Sequence, residues 1–159
     1  MEKQPISASQ IRYQDCDPLG HLNNGRYIDY FMNAREDHLA LHYNLHIYDR
    51  FRQTGKTWVV AKSEIIYRAP ANLMEMVQIR TQVNHFSIKH IEVEMAMYDN
   101  KVKQLKALLR SVFIPYDVKT GKSAEHDPAL RELLKNIHVE GITRNMEERI
   151  AELEGSLKT

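Results

Sequence analysis

Tyr13-Gln14-Asp15-Cys16-Asp17-Pro18-Leu19-Gly20-His21-Leu22-Asn23-Asn24-Gly25-Arg26-Tyr27 is the stretch whose reading decides the fold. Its first part is dense in Asp, Asn, Pro and Gly, the residues that favour tight turns, so a loop is expected over 15–24. From Gly25 the pattern turns helical. Tyr27, Phe31, Ala34, His38 and Leu41 step by four, three, four and three and share one face. Asn23 or Asn24 stands where a cap is needed. Ile28, Tyr30 and Met32 broaden the apolar part, and a helix so apolar at one end has to be wrapped by other structure.

Working outward, Ile6 to Tyr13 reads as a short strand, and four strand-like runs follow the helix. Thr57 to Arg68 places Val59, Ala61, Ile65 and Tyr67 at period two; Met76 to Val83 alternates Val77, Ile79, Thr81 and Val83 with polar residues. Ser87 to Tyr98 alternates Ile91, Val93, Met95 and Met97 with Glu92 and Glu94, and Gln104 to Tyr116 is a longer strand. Alternation of this kind predicts a sheet with one face buried and one wet. Asp99-Asn100 fits a hairpin between two of these runs. Beyond them, Asp127 caps a helix with Pro128 in its first turn and Leu130, Leu133, Leu134 and Ile137 as its stripe. Thr143 is the expected cap of a last helix bearing Met146, Ile150, Leu153 and Leu157. One long helix against one antiparallel sheet is an α+β arrangement. The expected organisation is a domain over residues 1–120 and a C-terminal helical extension over 121–159, packed on the same domain.

The bulk composition narrows the function classes. With 22 Lys plus Arg against 21 Asp plus Glu, the chain has no whole-molecule attraction to nucleic acid. Its single cysteine, Cys16, excludes an intrachain disulfide and a cysteine-rich zinc site, and weakly favours a reducing compartment. No segment has the shape of a signal peptide or the length of a membrane span, so a cytoplasmic protein is expected.

The opening stretch resembles the active-site loop of the 4-hydroxybenzoyl-CoA thioesterase family: an aromatic residue, Asp-x-Asp-x-x-Gly-His, then Asn and Tyr opening a long helix. The resemblance continues through the Tyr67-Arg68-Ala69-Pro70 corner to about Tyr116 and leaves out the two C-terminal helical segments. It implies a hotdog fold, an antiparallel sheet wrapped round the long central helix. It also implies a homodimer or homotetramer with sites between subunits, and hydrolysis of an acyl-CoA or acyl-carrier thioester. No cofactor or metal is called for.

Thioester hydrolysis needs an oxygen nucleophile and a holder for the oxyanion. A carboxylate supplies the first by attacking directly or by activating water. Asp17 matches the family's catalytic carboxylate, while Asp15 is expected to shape the loop by accepting backbone hydrogen bonds. The free N–H groups of Asn24, Gly25 and Arg26 at the helix start are candidates for the oxyanion hole, each such donor being worth roughly 3–4 kcal/mol in other hydrolases. His21, Asn23 and Tyr27 are expected to shape the loop and the acyl pocket, although His21 is equally well read as a loop histidine bonding backbone. Arg68, Arg80, Lys89 and Arg110 are candidates for CoA phosphates.

Other readings are weaker. Asp29 and Glu36 on the helix rank behind Asp17 as the working carboxylate. His38, His42 and His46 recur every four residues but lack the glutamate of a zinc-protease helix. Thr120-Gly121-Lys122-Ser123 lacks the first glycine of a phosphate loop, and there is no Gly-x-Ser-x-Gly. Cys16 has no evident base partner. Two alternatives remain: a hotdog enoyl-CoA hydratase, which would leave the thioester intact, and a non-catalytic acyl-CoA-binding module.

Overall fold

A computed structural model describes residues 1–158. The central helix α1 (Tyr27–Tyr43) follows the loop directly, preceded by a single 3-10 turn, Asn24–Arg26. Neither asparagine side chain caps it; Asn23 and Asn24 contribute only backbone, and the cap position falls to Arg26. Asn44 ends the helix in a left-handed conformation, its N–H donating to the Leu39 carbonyl. Tyr27, Tyr30, Phe31, Ala34, His38 and Leu39 are buried, but Leu41 is 80% exposed, so the buried stripe ends one turn earlier than its periodicity suggested.

The sheet runs β1 (Ile6–Gln10), β2 (Lys56–Tyr67), β3 (Met76–Phe86), β4 (Ile91–Asp99) and β5 (Leu105–Asp117), in the spatial order β1-β3-β4-β5-β2, with the short β6 (Lys122–Ser123) beside β5. Every pairing is antiparallel. Its inner face wraps α1: Tyr27, Phe31 and Ala34 share one core cluster with Val93, Met95, Met97 and Leu109. This is the hotdog arrangement.

Further features depart from the sequence reading. Residues 87–90 form the turn before β4 and are not part of it. A short helix, α2 (Ile47–Thr54), stands between α1 and β2, where no element was expected, so His46 precedes α2 and is off the His38/His42 face. The outer face of the sheet is not wet at β4, because both of its faces are buried. Helix α3 (Pro128–Ile137), capped by Asp127, runs beside β3. Helix α4 (Met146–Ser156) covers the outer face: Met146, Ile150 and Leu153 pack on Ala96, Tyr98 and Leu108. Asn145, not Thr143, caps α4 by accepting the Glu148 N–H at 2.9 Å, and Thr143 hydrogen-bonds the Glu148 carboxylate.

Candidate active site

The loop before α1 folds back on itself. Asp17 N–H donates to the His21 carbonyl (2.8 Å), Asn23 N–H donates to the Asp15 carbonyl (2.9 Å), and Cys16 bridges Leu22. Gly20 makes the return possible at φ +76°, a left-handed backbone that a side chain would strain. The His21–Asn72 bridge and the Leu22 N–H to Ala71 carbonyl bond (2.8 Å) tie the loop to the corner between β2 and β3.

Asp17, rather than Asp15, accepts the loop's backbone hydrogen bonds. Asp17 Oδ1 accepts the N–H groups of Leu19 (2.9 Å) and His21 (3.0 Å), so Asp17 shapes the loop tip. Asp15 takes no backbone N–H on its carboxylate; its Oδ2 accepts the Tyr30 hydroxyl at 2.6 Å. Burial, and then that bond, push the Tyr30 phenol up to about 12. The second oxygen of Asp17 has no protein partner among the described residues, so a loop-held carboxylate keeps one oxygen unengaged.

The start of α1 offers two unengaged donors. Among the described residues nothing accepts from the N–H of Asn24 or Gly25, whereas Arg26 N–H is used by the Asn23 carbonyl at 2.8 Å and is unavailable. A Cβ built on Gly25 meets nothing within 4 Å, so the space before it is open. Tyr27 is 2% exposed and its hydroxyl accepts the Ala71 N–H (3.2 Å), so it holds the corner from inside. The ring of Tyr67 packs edge-on against it at 5.1 Å. The Tyr67 hydroxyl donates to the Asn24 carbonyl at 2.8 Å. That carbonyl and the Gly25 N–H belong to one planar peptide unit, so Tyr67 sets the aim of the free donor. Sequence reasoning placed Tyr67 at a strand end and in the Tyr67-Arg68-Ala69-Pro70 corner but gave it no role in the site, because its partner lies 43 positions away.

The remaining candidates are placed as follows. No hydrogen bond engages the side chains of His21 and Asn23 among the described residues. Asp29 pairs with Arg26 at 3.2 Å on the surface. Glu36 lies nine residues along α1, roughly 13 Å from its start. The Cys16 thiol is pushed up by burial and by the carboxylates of Asp17 and Asp15, which disfavours a thiolate nucleophile. Of the cations named for CoA phosphates, Arg110 is buried on Glu94 (2.9 Å) and Arg80 binds the Tyr98 hydroxyl (2.9 Å). Arg68 adjoins Tyr67 but is paired with Glu154, and Lys89 lies in the distant β3–β4 turn.

Comparison with known proteins agrees with the fold. The Escherichia coli long-chain acyl-CoA thioesterase FadM is 27% identical over 128 residues, covering 80% of this chain and 95% of that protein. The solved structure of YbaW, a probable thioesterase from Escherichia coli, is 26% identical with a TM-score of 0.71, covering 83% of this chain and 97% of that one. The DHNA-CoA thioesterase of Staphylococcus aureus, 22% identical, shares the fold at a TM-score of 0.75 over 86% of this chain and 97% of that one. The family model of the thioesterase-like superfamily matches residues 11–134, from the end of β1 into α3, which leaves α4 wholly outside the match but takes in the loop, α1 and the sheet, and the chain belongs to that superfamily.

Proposed function

We propose that the protein hydrolyses acyl-CoA thioesters to the free acid and CoA, with Asp17 as the working carboxylate. The observation that carries this reading is the pairing of two unengaged groups on one folded-back loop: the Asp17 carboxylate oxygen and the Asn24 and Gly25 N–H donors. A thioester carbonyl lying on those donors has its developing negative charge stabilised at the positive end of α1. The free Asp17 oxygen then attacks the carbonyl carbon, the C–S bond breaks, CoA leaves as thiolate, and water hydrolyses the mixed anhydride. In the other route, Asp17 takes the proton of a water that attacks the same carbon. Both routes use the same donors. His21 and Asn23, with unengaged side chains beside them, contact the substrate, and Tyr27 supports the loop from beneath.

The functional unit is a homodimer. Strand β2 pairs with β5 along one edge, and it exposes Val59 and Val60. A twelve-residue edge strand with an exposed apolar patch at Val59 and Val60 needs covering, and a second copy covers it symmetrically. Among the described residues no helix is long and apolar enough to cross a membrane.

The test is free thiol release from short, long and aromatic acyl-CoAs by wild type and Asp17→Asn. Loss of turnover by orders of magnitude in the variant, with acyl-CoA binding retained, supports both enzyme and residue. Equal rates would remove Asp17 from the mechanism. An absence of thiol release from every substrate by folded wild type would favour the hydratase or the binding module.

A further inference from the structure

Behind α1, at the end far from the loop, the fold forms a partly open, mainly apolar cavity of about 400 Å³. Close-packed interiors keep few voids larger than a water molecule, and small-molecule sites run from roughly 300 to 1,000 Å³. The walls include Met32 and Leu39 of α1, Phe51 of α2, Trp58 of β2, Phe113 of β5 and Leu133 of α3. Among the described residues Arg35 and Glu36 are the only charged side chains bordering it, and Arg35 directs an N–H to the Thr81 hydroxyl of β3 (3.4 Å).

Helix α1 and strand β2 connect this cavity to the loop. At one end of the pair the Tyr67 hydroxyl sits on the Asn24 carbonyl; at the other, Trp58 and Leu39 share the cavity wall. With a rise of 1.5 Å per residue, Met32 stands roughly 7 Å and Leu39 roughly 18 Å beyond Tyr27 along the axis. Between those ends Ile28 and Ile65 are apolar and only partly buried. The far end is closed by α2 and α3, which are fastened to each other and to β2. Arg50 pairs with Asp127 at 3.2 Å, and Trp58 Nε1 donates to His126 Nε2 at 3.0 Å.

We propose that this cavity receives the distal part of a long unbranched acyl chain whose carbonyl lies at Asn24 and Gly25, and that α2 and α3 form the wall that limits chain length. The identity of the occupant rests on the thioesterase reading above. An unbranched hydrocarbon suits the site because the walls offer apolar area to bury and few polar partners.

Trp58 is the chain's single tryptophan and lines the cavity, so its fluorescence reports occupancy without turnover. The probe is a non-hydrolysable thioether of CoA with a palmityl-length chain brominated at its terminal carbon. The expected result is strong quenching of Trp58, with little from the same thioether brominated at the third carbon from the sulfur. Equal quenching by both, or none by either, would overturn the proposal. In parallel, Leu133→Phe is expected to lower the ratio of kcat/KM for palmitoyl-CoA to that for hexanoyl-CoA about tenfold. An unchanged ratio in a folded variant counts against the wall. Terminal-bromide quenching without hydrolysis of any acyl-CoA would sink the thioesterase reading and leave the chain site standing; hydrolysis without such quenching would do the reverse.

Discussion

The loop before α1 and the ion cluster beneath α4 are both polar, both held by long-range contacts, and opposite in character. Under α4, Glu94 is 1% exposed and both of its oxygens are engaged. Oε2 accepts from Asn84 (3.0 Å) and Arg110 (2.9 Å), and Oε1 accepts from Arg149 (2.9 Å). Burial alone would raise its carboxyl, but the bonds and charge of Arg149, with Asn84 and Arg110, outweigh that and leave it below the ordinary carboxylate range. In the loop, by contrast, one Asp17 oxygen and two N–H groups are left over after folding. Where folding engages the polar groups they specify structure; where it leaves them unengaged beside open space they are available for chemistry. The cluster is not perfectly closed: Glu92 Oε1, His85 Nε2 and Arg110 Nε are buried without hydrogen bonds, at ion-pair separations of 3.6 and 3.8 Å. Nothing else marks that gap as a site.

The contrast breaks most visibly at Asp17. Asp17→Asn is expected to cost about a thousandfold in kcat, as loss of a nucleophile or base does, while shifting unfolding free energy by no more than ~0.5 kcal/mol, because Asn still accepts the two loop N–H bonds. A variant that loses its activity by unfolding would erase the distinction. Glu94→Ala is the mirror experiment. It strands two buried guanidinium groups, so urea denaturation should show a loss of about 3–5 kcal/mol, with the remaining folded protein as active as wild type. Stability close to wild type would mean that α4 is not held by the cluster.

A third test moves protons. His38 is buried with both ring nitrogens engaged, Nδ1 with the Thr81 hydroxyl (2.7 Å) and Nε2 with the Ser7 hydroxyl (2.9 Å). Burial, then the Arg35 and His42 charges, lower it to about 4 from an ordinary 6.5. The unfolded chain therefore binds a proton that the folded chain refuses between those values. Stability should be complete above pH 6.5 and fall as pH drops toward about 4, by ~2–3 kcal/mol. Burial shifts His126 in the same direction. Urea midpoints at pH 7.5 and 5 check this, and His38→Gln should flatten the dependence; an equally steep curve in that variant would clear His38.

The smallest effect sharpens the comparison within the loop itself. Tyr67→Phe removes the hydroxyl on the Asn24 carbonyl and frees the Asn24–Gly25 peptide to rotate. A kcat about tenfold lower at unchanged KM is expected, some 1.4 kcal/mol lost in the transition state only. A rise in KM alone would assign Tyr67 to substrate binding.

Much of this was legible locally. The turn-rich run before Gly25, the helical stepping from Tyr27 and the period-two strands are short-range patterns, and the loop, α1 and four main strands stand where those patterns put them. Helix α2 escaped because Ile47–Thr54 is only eight residues long and has no fully buried side chain to mark a stripe. The wet face assigned to β4 failed because Glu92 and Glu94 look solvent-facing in any alternating strand, yet Glu94 is buried against Arg149 of α4, 55 positions away, and Glu92 lies beside Arg110 and His85. The same limit applied to Asp15 and Asp17. Two aspartates in one turn are chemically alike, and the choice between a phenol and two backbone N–H groups depends on where Tyr30 of α1 is held.

By itself, then, the order of residues determined the periodicities, the turn, the helix start and the resemblance that joins them, because each is settled by neighbours a few positions apart. Tertiary structure alone decided which polar groups stay unengaged, that Tyr67 aims the Gly25 peptide, and that α1, α2 and α3 leave a cavity between them. Tyr67 and Asn24 meet across 43 positions, and hydrogen-bond satisfaction and cavity shape exist only once such groups meet.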